Sequence, residues 1–277
     1  MAFSFDNLAG SNSTAVMGII NLSPDSFYSR SSHTNPCDVF HVAEKMIDEG
    51  VHILDVGAES TRPGSRGISV KLELERLLPV ITKLTKEFNV PISVDTYKPD
   101  VASVVLQEGA AVINDISGLG AGRVMANIIS HHNAGIVLMH MKGTPEIMQK
   151  NPCYEDVCAE VLNFLSQRVK LAEDAGIDSG SIAIDPGIGF GKSPKHNFQI
   201  LDNIPEFLQH SCPVMVGVSR KFGLHKASDH RLKESISLAL KAVQNGISIL
   251  RVHDVAETRR ALNGLIADRN DMKQKFY

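Results

Sequence analysis

The sequence predicts a single α/β domain, a (β/α)8 TIM barrel with its active site at the C-terminal ends of the strands, and three observations carry that prediction. Eight short apolar runs, rich in valine and isoleucine, alternate with longer amphipathic segments. The runs are nearly continuous in apolar residues, which is how strands buried on both faces read. An open doubly wound sheet would carry a glycine fingerprint directly after its first strand, but here that place holds Asn21-Leu22-Ser23-Pro24-Asp25. The 277 residues suit one barrel, for which about 250 suffice.

The expected strands are residues 15–21, 51–57, 91–96, 110–116, 135–141, 181–187, 213–219 and 247–254. Between them the clearest helix is 155–175, where Val157, Val161, Leu162, Leu165, Val169 and Ala172 recur at helical spacing with charge on the other face. Pro99 suits a first helical turn, and Gly50, Gly109, Gly176 and Gly246 stand where helix C-terminal caps are needed. No linker, charge block or low-complexity tract divides 1–277. Residues 1–14 read as a lead-in. The Ser-rich stretch 22–36 has no periodicity and is expected to be a long mobile loop.

Composition narrows the function classes. Twenty-eight basic against thirty-one acidic residues leave a net charge of −3, so there is no electrostatic reason to expect nucleic acid or an anionic membrane as partner. The first fifteen residues lack a basic segment followed by a continuous apolar one, and no apolar run approaches the roughly 20 residues that span a bilayer. Cys37, Cys153, Cys158 and Cys212 form no CxxC pair or zinc spacing and read as free thiols. A cytoplasmic protein is the expectation.

In a barrel of this kind the loops at the strand C-termini build the site. The runs here end in Asn21, Asp55, Asp95, Asn114 with Asp115, His140, Asp185, Ser219-Arg220-Lys221, and Arg251 with His253. A loop start is polar anyway, but eight such endings in succession converge on one mouth. Arg251 and His253 are two apart on the last strand and share a face. With Asn21, Thr61 and Arg62 they suit an anion, since Arg offers a fixed fork of donors to phosphate oxygens. Asp95, Asn114 and Asp185 form a second set, with Lys221 to balance the carboxylates. A flat heterocycle with several N–H groups would satisfy it; an internal polar network and a metal site are the alternatives, and ligand-spaced His/Asp pairs are absent.

The stretch Asp185-Pro-Gly-Ile-Gly-Phe-Gly-Lys192 lacks the GxxxxGK[ST] spacing of a phosphate loop. Its glycines read as letting backbone approach a planar ligand, with Phe190 as an apolar wall. Met139 and Met141 read as pocket floor or core, and His140 as support behind the site.

These residues carry a family resemblance. Met17-Gly-Ile-Ile-Asn-Leu-Ser-Pro-Asp-Ser-Phe27, Asp55-Val-Gly-Ala-Glu-Ser-Thr-Arg-Pro-Gly64, Ser93-Val-Asp-Thr-Tyr-Lys98, Asn114-Asp-Ile-Ser-Gly118, Met139-His-Met-Lys-Gly143, Asp185-Pro-Gly-Ile-Gly-Phe-Gly-Lys192, Ser219-Arg-Lys221 and Arg251-Val-His-Asp254 stand in the order found in dihydropteroate synthases, and the chain resembles that family along almost its whole length. The resemblance implies a folate-biosynthesis transferase joining 6-hydroxymethyl-7,8-dihydropterin pyrophosphate to p-aminobenzoate, a target of sulfonamides, and a homodimer. It implies that Asp95, Asn114, Asp185 and Lys221 recognise pterin. Asn21, Arg251 and His253, with Arg62, would form the pyrophosphate and Mg2+ site, Asn21 being the metal contact. Thr61, Pro63, Phe27, Phe190 and Lys221 would line the p-aminobenzoate side. The first loop departs from the family's glycine-rich pattern, and Phe222 stands where a serine is usual. A pterin-binding paralogue without synthase activity and a pterin-dependent methyltransferase barrel are the competing readings.

Overall fold

In the computed structural model, which describes residues 2–9, 13–22, 36–219 and 228–275, each of the eight apolar runs contains a strand. They are β1 (Ala15–Asn21), β2 (Ile53–Gly57), β3 (Ile92–Asp95), β4 (Val112–Asp115), β5 (Gly135–Met139), β6 (Ile182–Asp185), β7 (Met215–Val216) and β8 (Ile249–Val252). All ladders are parallel, in the order β6-β5-β4-β3-β2-β1-β8-β7. A parallel bridge between Ile184 and Val214, with the Ile184 N–H donating to Pro213 O at 2.9 Å, joins the two ends and closes the barrel. That closure decides against an open sheet.

The helices are α1 (Pro36–Asp48), α2 (Val70–Glu87), α3 (Pro99–Gln107), α4 (Arg123–His131), α5 (Val157–Glu173), α6 (Pro194–Asp202), a one-turn α7 (Ile204–Phe207), α8 (Ser228–Gln244) and α9 (Val255–Lys275). Their starts are written locally. Ser69 caps α2, Asp156 caps α5, and Ser193 and His196 form a reciprocal capping box on α6; each such cap contributes about 1 kcal/mol. Pro99 opens α3, and the four predicted cap glycines all have φ between 85° and 99°. The expected loop 22–36 lies almost wholly outside the described residues. At its edges Leu22 is buried and Pro36 already begins α1.

The two faces of each strand go to different cores. Val16, Ile20, Leu54, Val56, Ile92, Val94, Ile113, Ile136, Ile184 and Leu250 pack outward against the helices. The alternate positions Ala15, Met17, Ile53, Val112, Val137, Ala183, Met215 and Ile249 fill the barrel interior. Following that two-residue alternation upward from the interior layer reaches Asp55, Asn114, Asp185 and Arg251. The inward face therefore turns from apolar to charged at the C-terminal mouth.

Within the stretch 1–14, expected only as a lead-in, the described residues 2–9 do structural work at the other end. Phe5 joins the interior cluster with Phe3, Leu8 and Ala9 packed beside it. Phe3 N–H donates to Asn133 O at 3.1 Å, and Ser181 Oγ donates to Phe3 O. The short segment thereby plugs the barrel floor, and access is left to the mouth.

Candidate active site

Four of the predicted residues meet at the top of the barrel. Asp95 ends β3 and Asn114 lies opposite it in register on β4. Asp185 ends β6 and Arg251 lies in β8. The centre of the group is a residue to which the sequence reading gave no role: Asp55 of β2, which is fully buried. Its Oδ1 accepts from Ser93 Oγ at 2.7 Å, and its Oδ2 accepts from Asn114 Nδ2 at 3.2 Å and from Arg251 Nε at 2.7 Å. Arg251 Nη2 lies 2.6 Å from Asp55 Oδ2 and 2.8 Å from Asp95 Oδ2.

Arg251 thus joins the pterin set that the sequence reading had separated from it. Lys221, expected to balance these carboxylates, lies outside the described residues, as does Phe27. Among the described residues it is Arg251 that does the balancing. Burial alone would lower the Arg251 pKa, but Asp55 and Asp95 outweigh it and the net shift is upward, so the guanidinium stays charged. Burial pushes the Asp95 carboxyl up to about 7; Arg251 opposes this, and Asp55 adds to it.

The Asn114 amide is the informative member. Because Asp55 only accepts, the amide nitrogen must face it, which settles the orientation. The oxygen Oδ1 is then buried with no hydrogen-bond partner among the described residues. An orphaned buried acceptor costs ~1–3 kcal/mol and asks for a donor from outside the protein. Asp95 Oδ2 is taken by Arg251, while Oδ1 makes no hydrogen bond among the described residues. Asp185 Oδ1 accepts from the Gly187 N–H at 2.7 Å.

Beside the polar group lies a small apolar cluster of Ile116, Met139, Met148 and Phe190, with Tyr97 and Met141 against it. Phe190 and Met139 are both buried in it. Two of the glycines of 185–192 are required by the protein's own backbone. A Cβ on Gly187 would stand 1.9 Å from His140 O, and one on Gly191 would stand 2.3 Å from Lys142 O, both at positive φ. The close approach is to the protein's own chain after β5, because two backbone segments are stacked there without room for a methyl group.

Lys192 was also missed as a structural residue. Its ammonium is buried and donates to the carbonyls of Gly187 (3.0 Å), Phe190 (3.1 Å) and His140 (3.3 Å), and it lies 2.9 Å from His140 Nδ1. His140 is held neutral, at about 3, by burial and then by Lys192. The signal in the sequence was a lysine ending a glycine run with no acidic neighbour.

The remaining predicted residues lie on other strand ends and on the loop after β2. Asn21 ends β1 beside Gly57 in register and is half-buried. His253 follows β8, and its Nδ1 lies 3.0 Å from Ser219 Oγ, which also accepts the His253 backbone N–H at 3.3 Å. Thr61, Arg62 and Pro63 lie on the loop after β2, Arg62 and Pro63 exposed. No group of three His, Cys, Asp or Glu side chains arranged to hold a metal occurs among the described residues.

The sequence and the barrel both have known relatives. Residues 17–253 match the family model described as a pterin binding enzyme. The dihydropteroate synthase of Escherichia coli is 40% identical over 266 residues, 95% of this chain and 94% of its own. A Xanthomonas albilineans dihydropteroate synthase solved with 4-aminobenzoic acid superimposes with a TM-score of 0.84 at 39% identity, covering 92% of this chain and 93% of that one. The Burkholderia cenocepacia enzyme complexed with 7,8-dihydropteroate gives a TM-score of 0.83 at 37% identity, covering 95% and 94%.

Proposed function

Because the chain belongs to the dihydropteroate synthase family of pterin-binding enzymes, we propose that its barrel mouth condenses 6-hydroxymethyl-7,8-dihydropterin pyrophosphate with p-aminobenzoate to give 7,8-dihydropteroate and pyrophosphate. The observation that carries the site assignment is the orphaned Asn114 carbonyl between ionisable carboxylates. A pterin ring presents the N–H donors that this group lacks.

In this reading Asn114 Oδ1, Asp95 and Asp185 accept the N–H groups of the ring, with Lys221 donating to its carbonyl. Phe190 walls the apolar side. The carbon–oxygen bond to pyrophosphate breaks at the pterin methylene, and positive charge spreads into the ring, where Asp95 and Asp185 favour it. Arg251, His253 and Arg62 take the negative charge that develops on the departing pyrophosphate. The p-aminobenzoate nitrogen, held between Thr61, Pro63, Phe27, Phe190 and Lys221, forms the new bond to the methylene carbon and then loses a proton. An aniline nitrogen is neutral at pH 7, so no strong base is required.

The residues fit Mg2+ in one particular way. A hard amide oxygen from Asn21 at the mouth suits an ion that keeps most of its shell as water and substrate phosphate, and Mg2+ is usually bound by few protein ligands in phosphate sites. When bound, the ion would neutralise charge on the pyrophosphate. We also propose a cytoplasmic homodimer. The free thiols Cys153, Cys158 and Cys212 support a reducing compartment, and family resemblance supports the dimer. No helix among the described residues is long and apolar enough to cross a membrane.

The test is a product assay with both substrates and Mg2+, with 7,8-dihydropteroate detected chromatographically. Product is expected, and Arg251→Ala should lower kcat by about 10²–10³. Calorimetric binding of the pterin pyrophosphate without product would instead support a pterin-binding paralogue.

A further inference from the structure

The loop between β2 and α2 carries Thr61, Arg62 and Pro63, and one side chain holds its two ends together. Glu59, at the loop's start, accepts the backbone N–H of Ile68 on Oε2 at 2.8 Å. The same carboxylate accepts Tyr97 Oη on Oε1 at 2.7 Å and Lys98 Nζ on Oε2 at 2.5 Å. Tyr97 and Lys98 follow Asp95 by two and three residues. Glu59 therefore ties the base of this loop to the strand end that bears Asp95.

The tie is built into the surrounding packing. Lys98 is shared with Glu73 of α2, and the side chains of Lys98, Glu59 and Glu73 are only 14%, 6% and 1% exposed. A buried ion triad of this kind is a poor source of net stability, but it is geometrically demanding. At the loop's exit, a Cβ on Gly67 would stand 3.1 Å from Tyr97 Oη, so the returning chain lies flat against the phenol. Burial and Glu59 together push the Tyr97 phenol up, which keeps it a donor. Within the loop, Ser65 Oγ donates to Ser60 O and Arg62 O, both at 2.6 Å. At the tip, the Gly64 N–H donates to Pro145 O at 2.9 Å. The loop is fastened at base, middle and tip, and the base is the point shared with the segment that follows β3.

We propose that Glu59, acting through Tyr97 and Lys98, is a positioning residue that sets the loop bearing Thr61, Arg62 and Pro63 relative to Asp95. The second substrate then meets a preset surface at a fixed offset from the ring. This rests on the reading above, in which that loop faces p-aminobenzoate and pyrophosphate. A loop without the tie would be ordered at the expense of binding, and the penalty falls on the substrate that uses the loop, not on the one held by the strand ends.

Glu59→Gln and Tyr97→Phe test the idea, with steady-state kinetics in both substrates, calorimetric titration of a pterin lacking the pyrophosphate, and thermal unfolding. Both variants should raise KM for p-aminobenzoate about tenfold, which corresponds to ~1.4 kcal/mol. Affinity for the pterin should stay within about twofold. Tyr97→Phe removes a single hydroxyl and decides the matter if Glu59→Gln does not fold. An unchanged KM for p-aminobenzoate, or equal loss of affinity for both substrates together with a fall in Tm, overturns the proposal. Arg62→Ala separates the two levels. If it leaves the kinetics unchanged, the reading of the loop fails. If it impairs turnover while Glu59→Gln and Tyr97→Phe do not, the positioning role alone fails.

Discussion

Replacing Arg251 with methionine removes the one cation among the described residues that contacts both Asp55 and Asp95 while keeping an unbranched stem of similar reach. The guanidinium lies 2.6 Å from Asp55 Oδ2 and 2.8 Å from Asp95 Oδ2, and its side chain is 14% exposed. At an effective dielectric of 20, two such charges attract by about 4 kcal/mol at 4 Å separation, and part of this is offset by the desolvation of the guanidinium. Breaking a buried pair from one side costs about 3–5 kcal/mol, because the partner is left charged and unpaired. The pH dependence carries more information than the size. Asp95 already sits raised, to about 7, with Arg251 pulling it down. Between the ordinary carboxylate range and about 7 the folded state binds more protons than the unfolded state, so stability falls as pH rises, in the natural protein and the variant alike. Above that point the natural protein levels off. In the variant Asp95 has lost the opposing pull, its folded pKa is higher still, and stability continues to fall. Urea unfolding at pH 6 and pH 8.5 should show a deficit of about 3–5 kcal/mol at the higher pH, smaller by at least ~1.4 kcal/mol at the lower. Parallel stability curves over this range, or a deficit below about 1 kcal/mol at pH 8.5, would refute the reasoning.

Three further outcomes are expected. Lys192→Met leaves three carbonyls without their donor and should cost about 2–4 kcal/mol in urea unfolding; His140, followed by NMR, should rise from about 3 yet stay below 6.5, since burial, the larger cause, remains. Gly187→Ala drives a methyl group to 1.9 Å from His140 O at positive φ and should lower stability by ~2–4 kcal/mol in thermal unfolding, where an exposed glycine would tolerate the change. Pterin affinity should weaken as pH drops below the Asp95 pKa of about 7, by up to about tenfold per unit, because protonation removes the negative charge and turns one of the two acceptor oxygens into a donor facing the ring N–H groups; Asp95→Asn should flatten the calorimetric profile.

Much of the site was legible before any coordinates. The polar strand endings Asn21, Asp95, Asn114, Asp185 and Arg251 are read from where apolar runs stop, and a barrel sends such endings to one mouth. Asp55 stood in the same series and received no role, although it shares the inward phase of Ile53. Lys192 was harder, because its partners include a histidine 52 residues away and backbone carbonyls, which leave no charge pattern in the sequence. The glycines of 185–192 announced a close approach without saying to what.

By itself the sequence determined the strands, the helix caps, and the point along each strand where the inward face turns polar. These depend on the two-residue and 3.6-residue periods and on neighbours a few positions apart, all of them local properties of the chain. Only the tertiary structure decided that Ile184 meets Val214 to close the barrel, that Phe5 plugs its floor, and that Arg251 reaches Asp55 and Asp95 across 196 and 156 residues. Those pairings follow from closure, which brings the last strand beside the first, and no local period in the sequence encodes which charge will stand opposite which.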